Sequence, residues 1–136
     1  MSSEVINKKL VSMSKYLSDL LPYRDITFEI FMDKHYEIER ILELIIMTAS
    51  DIIFHLLSVK GEPAPVSYRT AFLIAGERGI INKELSESLA LSAGLRNILV
   101  HEYEEIDYKI LYKSIPIAIK DYSSFMDEIS RRQQYS

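Results

Sequence analysis

The residues best suited to do chemistry lie together in one run of ten, GLRNILVHEY, which begins at Gly94. Within it, His101 carries an imidazole, the side chain whose ordinary pKa of about 6.5 suits proton transfer near neutral pH. Arg96 offers a planar set of donors for phosphate oxygens and a charge that can stabilise a transition state. Asn97 can orient His101 or hold a phosphate oxygen, and Tyr103 offers a phenol hydroxyl. These residue types favour chemistry at a phosphate group.

Their spacing restricts how these groups can act together. Asn97 and His101 are four residues apart, so they share one face of a helix. Arg96 and His101 are five residues apart and point about 140° away from each other on a regular helix. The spacing therefore leaves two possibilities: the helix loosens before His101, or a second chain supplies one of the two groups.

The order of several sequence blocks resembles the HepT-type toxins of the HEPN superfamily. The pattern Arg96-x4-His101-x-Tyr103 is similar to the signature of that family. The blocks SYRTAF, from Ser67, and GII, from Gly79, resemble the blocks that precede it, and the similarity spans roughly residues 4 to 125. The agreement in order makes this a stronger sign of membership than the Arg-x4-His pattern alone.

The resemblance implies a function and its partners. Such proteins are metal-independent endoribonucleases that act as toxins on RNA such as tRNA or mRNA. They dimerise so that two copies of the motif form one composite site, in which Arg96, Asn97 and His101 would be the catalytic residues. A small nucleotidyltransferase antitoxin of the MntA type silences them by transferring AMP to the motif tyrosine, here Tyr103. The resemblance implies no cofactor and no metal.

Three further residues are auxiliary candidates for the site. Asp51 and His55 lie where the family tends to carry polar residues, and Arg69 belongs to the SYRTAF block. Each has a simpler interpretation. Asp51 and His55 are four residues apart and can form an intrahelical pair, and Arg69 can be an ordinary surface residue.

The motif itself also has structural interpretations. Arg96 can pair with Glu102 or another carboxylate on the surface. His101 can interact with the negative end of the preceding helix. Tyr103 can cover a helix end as a core aromatic residue.

The second functional hypothesis is a non-catalytic binding subunit. It would dock a nucleotidyltransferase and help it to bind nucleotide or substrate. A net charge of −4 and the glutamates at positions 102, 104 and 105 favour this alternative, because they repel RNA phosphates and suit a basic face on a partner protein. If RNA is the substrate, it requires a local concentration of Lys and Arg on an otherwise acidic chain.

Composition excludes some other classes of site and location. The chain has no cysteine, which excludes disulfides and thiolate metal sites and fits the cytoplasm. The separations between His35, His55 and His101 match no metal-binding motif, so no metal site is predicted. The most apolar run, residues 42 to 57, contains Glu43, Asp51 and His55. It is therefore predicted not to cross a membrane.

The elements that must position these residues are helices. Apolar residues recur at steps of three and four, which predicts an all-α, up-and-down antiparallel bundle of four to five helices, HEPN-like, in one domain over residues 1–136. The predicted helices cover residues 3–21, 27–59, 67–78, 83–100 and 107–132. Their predicted caps are Thr27, Ser67, Asn82 and Asp107. Pro116 is expected to kink the fifth helix.

Overall fold

The computed structural model describes the backbone of residues 2–100 and 107–134, and the side chains of residues 3–95 and 107–134. Within these ranges the chain forms five α-helices and no strand. They are α1 (Ser2–Leu20), α2 (Phe28–Val59), α3 (Tyr68–Glu77), α4 (Lys83–Val100) and α5 (Tyr108–Gln134). A 3-10 turn, Leu21–Tyr23, follows α1. The predicted all-α fold is confirmed.

Side-chain caps explain where four of the helices begin. Thr27, Ser67, Asn82 and Asp107 each accept a hydrogen bond from a backbone N–H in the following turn, at 3.2, 3.0, 2.8 and 3.1 Å respectively. Each such cap satisfies a donor that the helix leaves without a partner and typically stabilises it by about 1 kcal/mol. All four predicted caps are thus observed.

Consecutive helices are joined by short connections and pack antiparallel, as predicted for an up-and-down bundle. An ion pair of 3.5 Å between Lys9 and Asp51 links α1 to α2. Helix α5 closes the bundle by packing against α1, α2 and α4. Helix α4 itself packs against α2 and α3 before it in the chain and against α5 after it.

One apolar core draws on all five helices. Its largest fully buried side chains include Phe31, Phe72, Tyr122 and Phe125, and α5 meets α3 where Phe72 packs edge-on against Phe125. The apolar recurrence at steps of three and four places Leu21 and Ile30 on buried stripes, yet Leu21 is exposed by 53% and Ile30 by 47%. Phe31 is buried in place of Ile30 because its ring packs against Tyr112 of α5.

Helix α2 needs its own account because it is the most apolar. By length and composition alone it could cross a membrane, contrary to the prediction made from residues 42–57. Half of its most apolar stretch of 18 residues is buried inside the bundle, as in the core helix of a soluble protein. The packing of α2 against its neighbours therefore accounts for its composition without a membrane.

Helices α3 and α4 approach each other unusually closely at Gly76. A Cβ atom added there would collide with the Cβ and Oγ atoms of Ser86. The Ser86 hydroxyl in turn donates a hydrogen bond of 2.7 Å to the carbonyl oxygen of Phe72. The missing side chain of Gly76 therefore sets the distance between α3 and the helix that carries the motif.

Candidate active site at the end of helix α4

The candidate motif occupies the end of α4 and the residues that follow it. Arg96 and Asn97 lie in the last turns of α4, which ends at Val100. Their side chains lie outside the described part of the structure. His101, Tyr103 and the glutamates at positions 102, 104 and 105 also lie outside the described residues. What the structure describes is the scaffold on which the motif stands.

Three links between α4 and α5 hold this scaffold in register. Asn82 donates from its backbone N–H and its side-chain amide to the two carboxylate oxygens of Glu128, at 2.9 and 2.7 Å. Further along α4, the Ser88 hydroxyl donates to the Asp121 carboxylate. The hydroxyls of Ser92 and Tyr122 are 2.8 Å apart. These links leave α4 little freedom to slide or turn against α5.

A groove of about 340 Å³ lies between α4 and α5 next to the motif. Its walls are mostly apolar and include Leu91, Leu95, Ile110 and Ile117. Leu91 is 76% exposed, Ile110 60% and Ile117 57%, although all three are large apolar side chains. Position 96 follows Ser92, a groove residue, by one helical turn, so the groove side of α4 continues into the motif.

The polar floor of the groove includes the fully buried Tyr122. Burial raises the pKa of its phenol above the ordinary value, an effect that the hydrogen bond with Ser92 opposes and the charge of Asp121 adds to. The phenol is therefore neutral at physiological pH. It acts here as a hydrogen-bonding spacer between the helices.

An aromatic cluster fixes the point where the chain re-enters the bundle after the motif. Tyr112, in the second turn of α5, packs edge-on against Phe28 and donates a hydrogen bond of 2.7 Å to the carbonyl oxygen of Ile26. Tyr108 packs against the ring of His35, with centroids 4.7 Å apart. The described residues that follow the motif are therefore fixed to the bundle by this cluster.

His35 was considered in the sequence only as a possible metal ligand. In the structure its Nδ1 atom makes a hydrogen bond of 2.8 Å with the carboxylate of Glu39, one turn further along α2. The spacing of these two residues could have indicated the pair. The contact with Tyr108 could not be read from the sequence, because it joins two helices that are distant along the chain.

The three auxiliary candidates lie in different surroundings. The intrahelical pair considered for Asp51 and His55 is not formed, since Asp51 contacts Lys9 instead. The Nε2 atom of His55 is buried and has no hydrogen-bond partner among the described residues. Arg69 is exposed in the first turn of α3. Of these three residues, His55 is the one with a buried polar atom that no described neighbour satisfies.

Residues 2–100 and 107–134 contain no group of three or more His, Asp or Glu side chains that could hold a metal ion. The described polar groups between α4 and α5 are hydroxyls, the amide of Asn82 and the carboxylates of Asp121 and Glu128.

A five-helix bundle with this arrangement is the fold of HEPN toxins. The structure superposes on a tri-AMPylated HEPN toxin of Shewanella oneidensis, solved in complex with an MNT antitoxin, with a TM-score of 0.84. The superposition covers 93% of this chain and 97% of that one at 22% sequence identity, so it establishes the fold.

The family follows from the sequence comparisons. Residues 13–129 match the family described as ribonuclease HepT-like, and the chain belongs to that family. It is 31% identical over 129 residues to the tRNA nuclease HepT of Aphanizomenon flos-aquae, covering 93% of this chain and 88% of the relative. The predicted ribonuclease function is confirmed at the level of the family.

A second relative is the mRNA nuclease HepT of Shewanella oneidensis. The identity is 32% over 79 residues, which cover 58% of this chain and 59% of that protein. The two relatives thus carry names that refer to different RNA substrates.

Proposed function

We propose that this chain is a metal-independent endoribonuclease whose catalytic residues are Arg96, Asn97 and His101. The observation that carries the proposal is that Arg96 and Asn97 lie on the last described turns of a helix held in register, and His101 follows Val100 in the sequence. Membership of a ribonuclease family supports it. In this proposal the whole chain, residues 1–136, works as one domain in the cytoplasm.

The reaction we propose begins at a ribose 2′-hydroxyl. His101 takes its proton, the 2′-oxygen forms a bond to the adjacent phosphorus, and the bond from phosphorus to the 5′-oxygen breaks. That oxygen leaves with a proton returned by an imidazolium or by water, and the other product ends in a 2′,3′-cyclic phosphate. Water can then add to its phosphorus and break the bond to the 2′-oxygen, which takes up a proton, to leave a 3′-phosphate. Arg96 stabilises the extra negative charge on the phosphate oxygens. Asn97 orients His101 or holds one of those oxygens.

The test is cleavage of purified tRNA and mRNA in the presence of a chelator of divalent metals. We expect wild-type cleavage with cyclic-phosphate or 3′-phosphate ends, and at least a 100-fold loss in His101→Ala, consistent with the usual size of acid–base catalysis. Arg96→Ala is expected to lose activity as well. Unchanged cleavage in both variants, or cleavage that the chelator abolishes, would contradict the proposal.

The site is proposed to be composite, formed by two copies of the chain. The angular separation of Arg96 and His101 favours donation of one group by a second copy. The exposed apolar walls of the α4–α5 groove supply a surface beside the motif that a second copy can cover.

A mixed dimer tests this arrangement directly. In a dimer of one Arg96→Ala chain and one His101→Ala chain, a site that takes Arg96 and His101 from different chains keeps one intact pair. We therefore expect the mixed dimer to recover up to half of the wild-type activity, while each variant alone stays inactive. If the mixed dimer forms but cleaves no RNA, the two groups belong to the same chain.

The off-switch is proposed to be AMP transfer to Tyr103 by an MntA-type nucleotidyltransferase antitoxin. The phenol oxygen attacks the α-phosphorus of ATP, the bond to the leaving pyrophosphate breaks, and the phenol proton passes to solvent. The HEPN toxin to which this fold is similar is named as tri-AMPylated, which supports a modification of this kind. Intact mass after incubation with such an enzyme and ATP should rise by one or more AMP units, and Tyr103→Phe should prevent the rise. A mass gain in Tyr103→Phe would place the modification elsewhere.

Asp51, His55 and Arg69 remain proposed auxiliary residues. His55 has the strongest support because its buried Nε2 atom finds no partner in the described part of the chain. A buried polar atom of this kind is costly unless a ligand or another chain satisfies it. Arg69 is exposed and free to contact RNA, whereas Asp51 already contacts Lys9.

A further inference from the structure

Three lysines form a line along α5 on the side next to the groove. Lys109, Lys113 and Lys120 are separated by four and seven residues, so they fall within about 40° of one another around the helix. All three are exposed, and within the described residues none of them forms an ion pair. We call these three residues the lysine stripe.

The lysine stripe begins level with the motif. The links from Asn82 to Glu128 and from Ser92 to Tyr122 show that α4 and α5 run antiparallel. Continuing this arrangement brings the last turns of α4 level with the first turns of α5, where Lys109 and Lys113 lie. From there the lysine stripe extends over about 16 Å of the helix, at 1.5 Å per residue.

Among the described residues of α5 and its cap, the acidic side chains are engaged elsewhere or lie beyond the lysine stripe. Asp107 accepts hydrogen bonds from the first backbone N–H groups of α5. Asp121 accepts the hydroxyl of Ser88 on the groove side. Asp127 follows Lys120 by two turns and marks the end of the basic segment. The positive charge of the three ammonium groups is therefore available to a ligand.

We propose that the lysine stripe binds the phosphates of RNA and leads the strand to the motif, an inference that rests on the proposed ribonuclease function. A chain with a net charge of −4 needs a local basic surface to bind RNA, and the lysine stripe supplies one where the motif requires it. Its composition favours RNA over a protein partner. Protein interfaces are depleted in Lys and enriched in Arg and aromatic residues, whereas a line of separate lysines suits a chain of phosphates.

The experiment measures binding of fluorescent tRNA to His101→Ala, which holds RNA without the proposed cleavage, at several KCl concentrations. The test variant adds Lys109→Gln, Lys113→Gln and Lys120→Gln. We expect affinity to fall by about tenfold or more at 0.15 M salt, and the slope of log affinity against log salt to decrease by about 2, since each lost phosphate contact removes about 0.7 to 0.9. The melting temperature should stay the same, because the three side chains are exposed.

A matched control changes three exposed lysines elsewhere, Lys8, Lys15 and Lys34, to Gln in the same background. Both triple variants carry a formal net charge of −7, which is −4 minus 3. The control should bind tRNA within about twofold of the parent, because distant charges are screened in salt. Equal losses in the two variants would show an effect of net charge alone and overturn the proposal.

The remaining outcomes separate the lysine stripe from the nuclease. Suppose that the stripe variant binds tRNA as tightly as its parent while the wild type cleaves RNA in a way that depends on His101. In that case the lysine-stripe proposal is wrong and the ribonuclease proposal is retained. If tRNA binding depends on the lysine stripe but the wild-type chain cleaves no RNA, the lysine-stripe proposal is supported and the ribonuclease proposal is contradicted. If the stripe variant binds tRNA normally but no longer binds a nucleotidyltransferase antitoxin, the lysine stripe is a protein-binding surface and the proposal is wrong.

Discussion

Glu128 on α5 accepts two hydrogen bonds from Asn82, the residue that caps α4, at 2.9 and 2.7 Å. Asn82 meanwhile accepts the backbone N–H of Leu85 through its side-chain oxygen, at 2.8 Å. One asparagine thus begins the helix that carries the motif and also attaches it to α5. Both ends of the amide are used, which no other capping residue of similar size can reproduce.

Replacement of Asn82 should separate these two roles. Asn82→Ala removes the cap and the side-chain link, and we expect the free energy of unfolding to fall by about 1 to 2 kcal/mol. Asn82→Ser retains an acceptor for the cap but is too short to reach Glu128, so its loss should be smaller. Urea denaturation measures both. If Asn82→Ser is as stable as the wild type, the side-chain link to Glu128 contributes nothing measurable.

The two glycines inside α3 and α4 should respond to alanine with opposite signs. Gly94→Ala meets no described atom within 4 Å and should gain up to about 1 kcal/mol from helix propensity. Gly76→Ala collides with Ser86 and should lose about 1 to 3 kcal/mol despite the same gain. Thermal melting of the two variants provides the comparison.

Ser86→Gly supplies the control for the second glycine variant. It removes both atoms that the new Cβ of Gly76→Ala would strike, so the double variant should cost less than the sum of the two single changes. Simple additivity would indicate that the collision is relieved by a small movement of α3.

These features show what the sequence could and could not predict. The four caps were correctly predicted and the helix bounds within the described residues to within two residues, because a cap depends on residues within one turn of it. The burial of Phe31 in place of Ile30, and the contact of His35 with Tyr108, depend on the arrival of α5. The motif could be found by its residue types and order, whereas the lysine stripe became visible only when α4 and α5 were seen side by side.

The raised pKa of Tyr122 predicts a loss of stability at high pH. Because the folded chain holds the phenol proton more tightly than the unfolded chain, this contribution is complete below about pH 10, the ordinary pKa, and is lost as the pH rises above it. The loss is up to about 1.4 kcal/mol per pH unit. Tyr122→Phe should be less stable than the wild type at pH 8, where it lacks the Ser92 hydrogen bond. This deficit should shrink or reverse by pH 11.

Urea denaturation at pH 8, 10 and 11 measures this difference. Ser92→Ala is the control, since it removes the same hydrogen bond but retains the buried phenol, and it should keep the steep alkaline loss. A Tyr122→Phe variant that loses stability between pH 10 and 11 as steeply as the wild type would show that another group causes the loss.

The two histidines of α2 predict opposite effects of a leucine substitution. His55→Leu removes a buried nitrogen that has no partner in the described part of the chain, and we expect a gain of about 1 kcal/mol, or roughly 3 °C in Tm. His35→Leu breaks the hydrogen bond with Glu39 and should be destabilising by a similar amount.

RNA cleavage by His55→Leu then separates a structural from a functional histidine. If His55 assists the composite site, cleavage should fall by tenfold or more while Tm rises, a combination that unfolding cannot produce. A variant that is less stable than the wild type would instead mean that His55 has a structural partner in the folded chain.

The three links between α4 and α5 also determine where this chain can change in length. One residue inserted between Asn82 and Ser92 turns everything beyond it by about 100° and shifts it by 1.5 Å, so either a link breaks or position 96 leaves its place. The connection from α2 to α3 is less restricted, since residues 60–66 are mostly exposed and include Gly61 at a φ of 76°. Its described side-chain link is the ion pair of 2.7 Å between Glu62 and Arg78, at the end of α3 away from the motif. Natural insertions, and any label or fusion intended to spare the motif, belong in that connection.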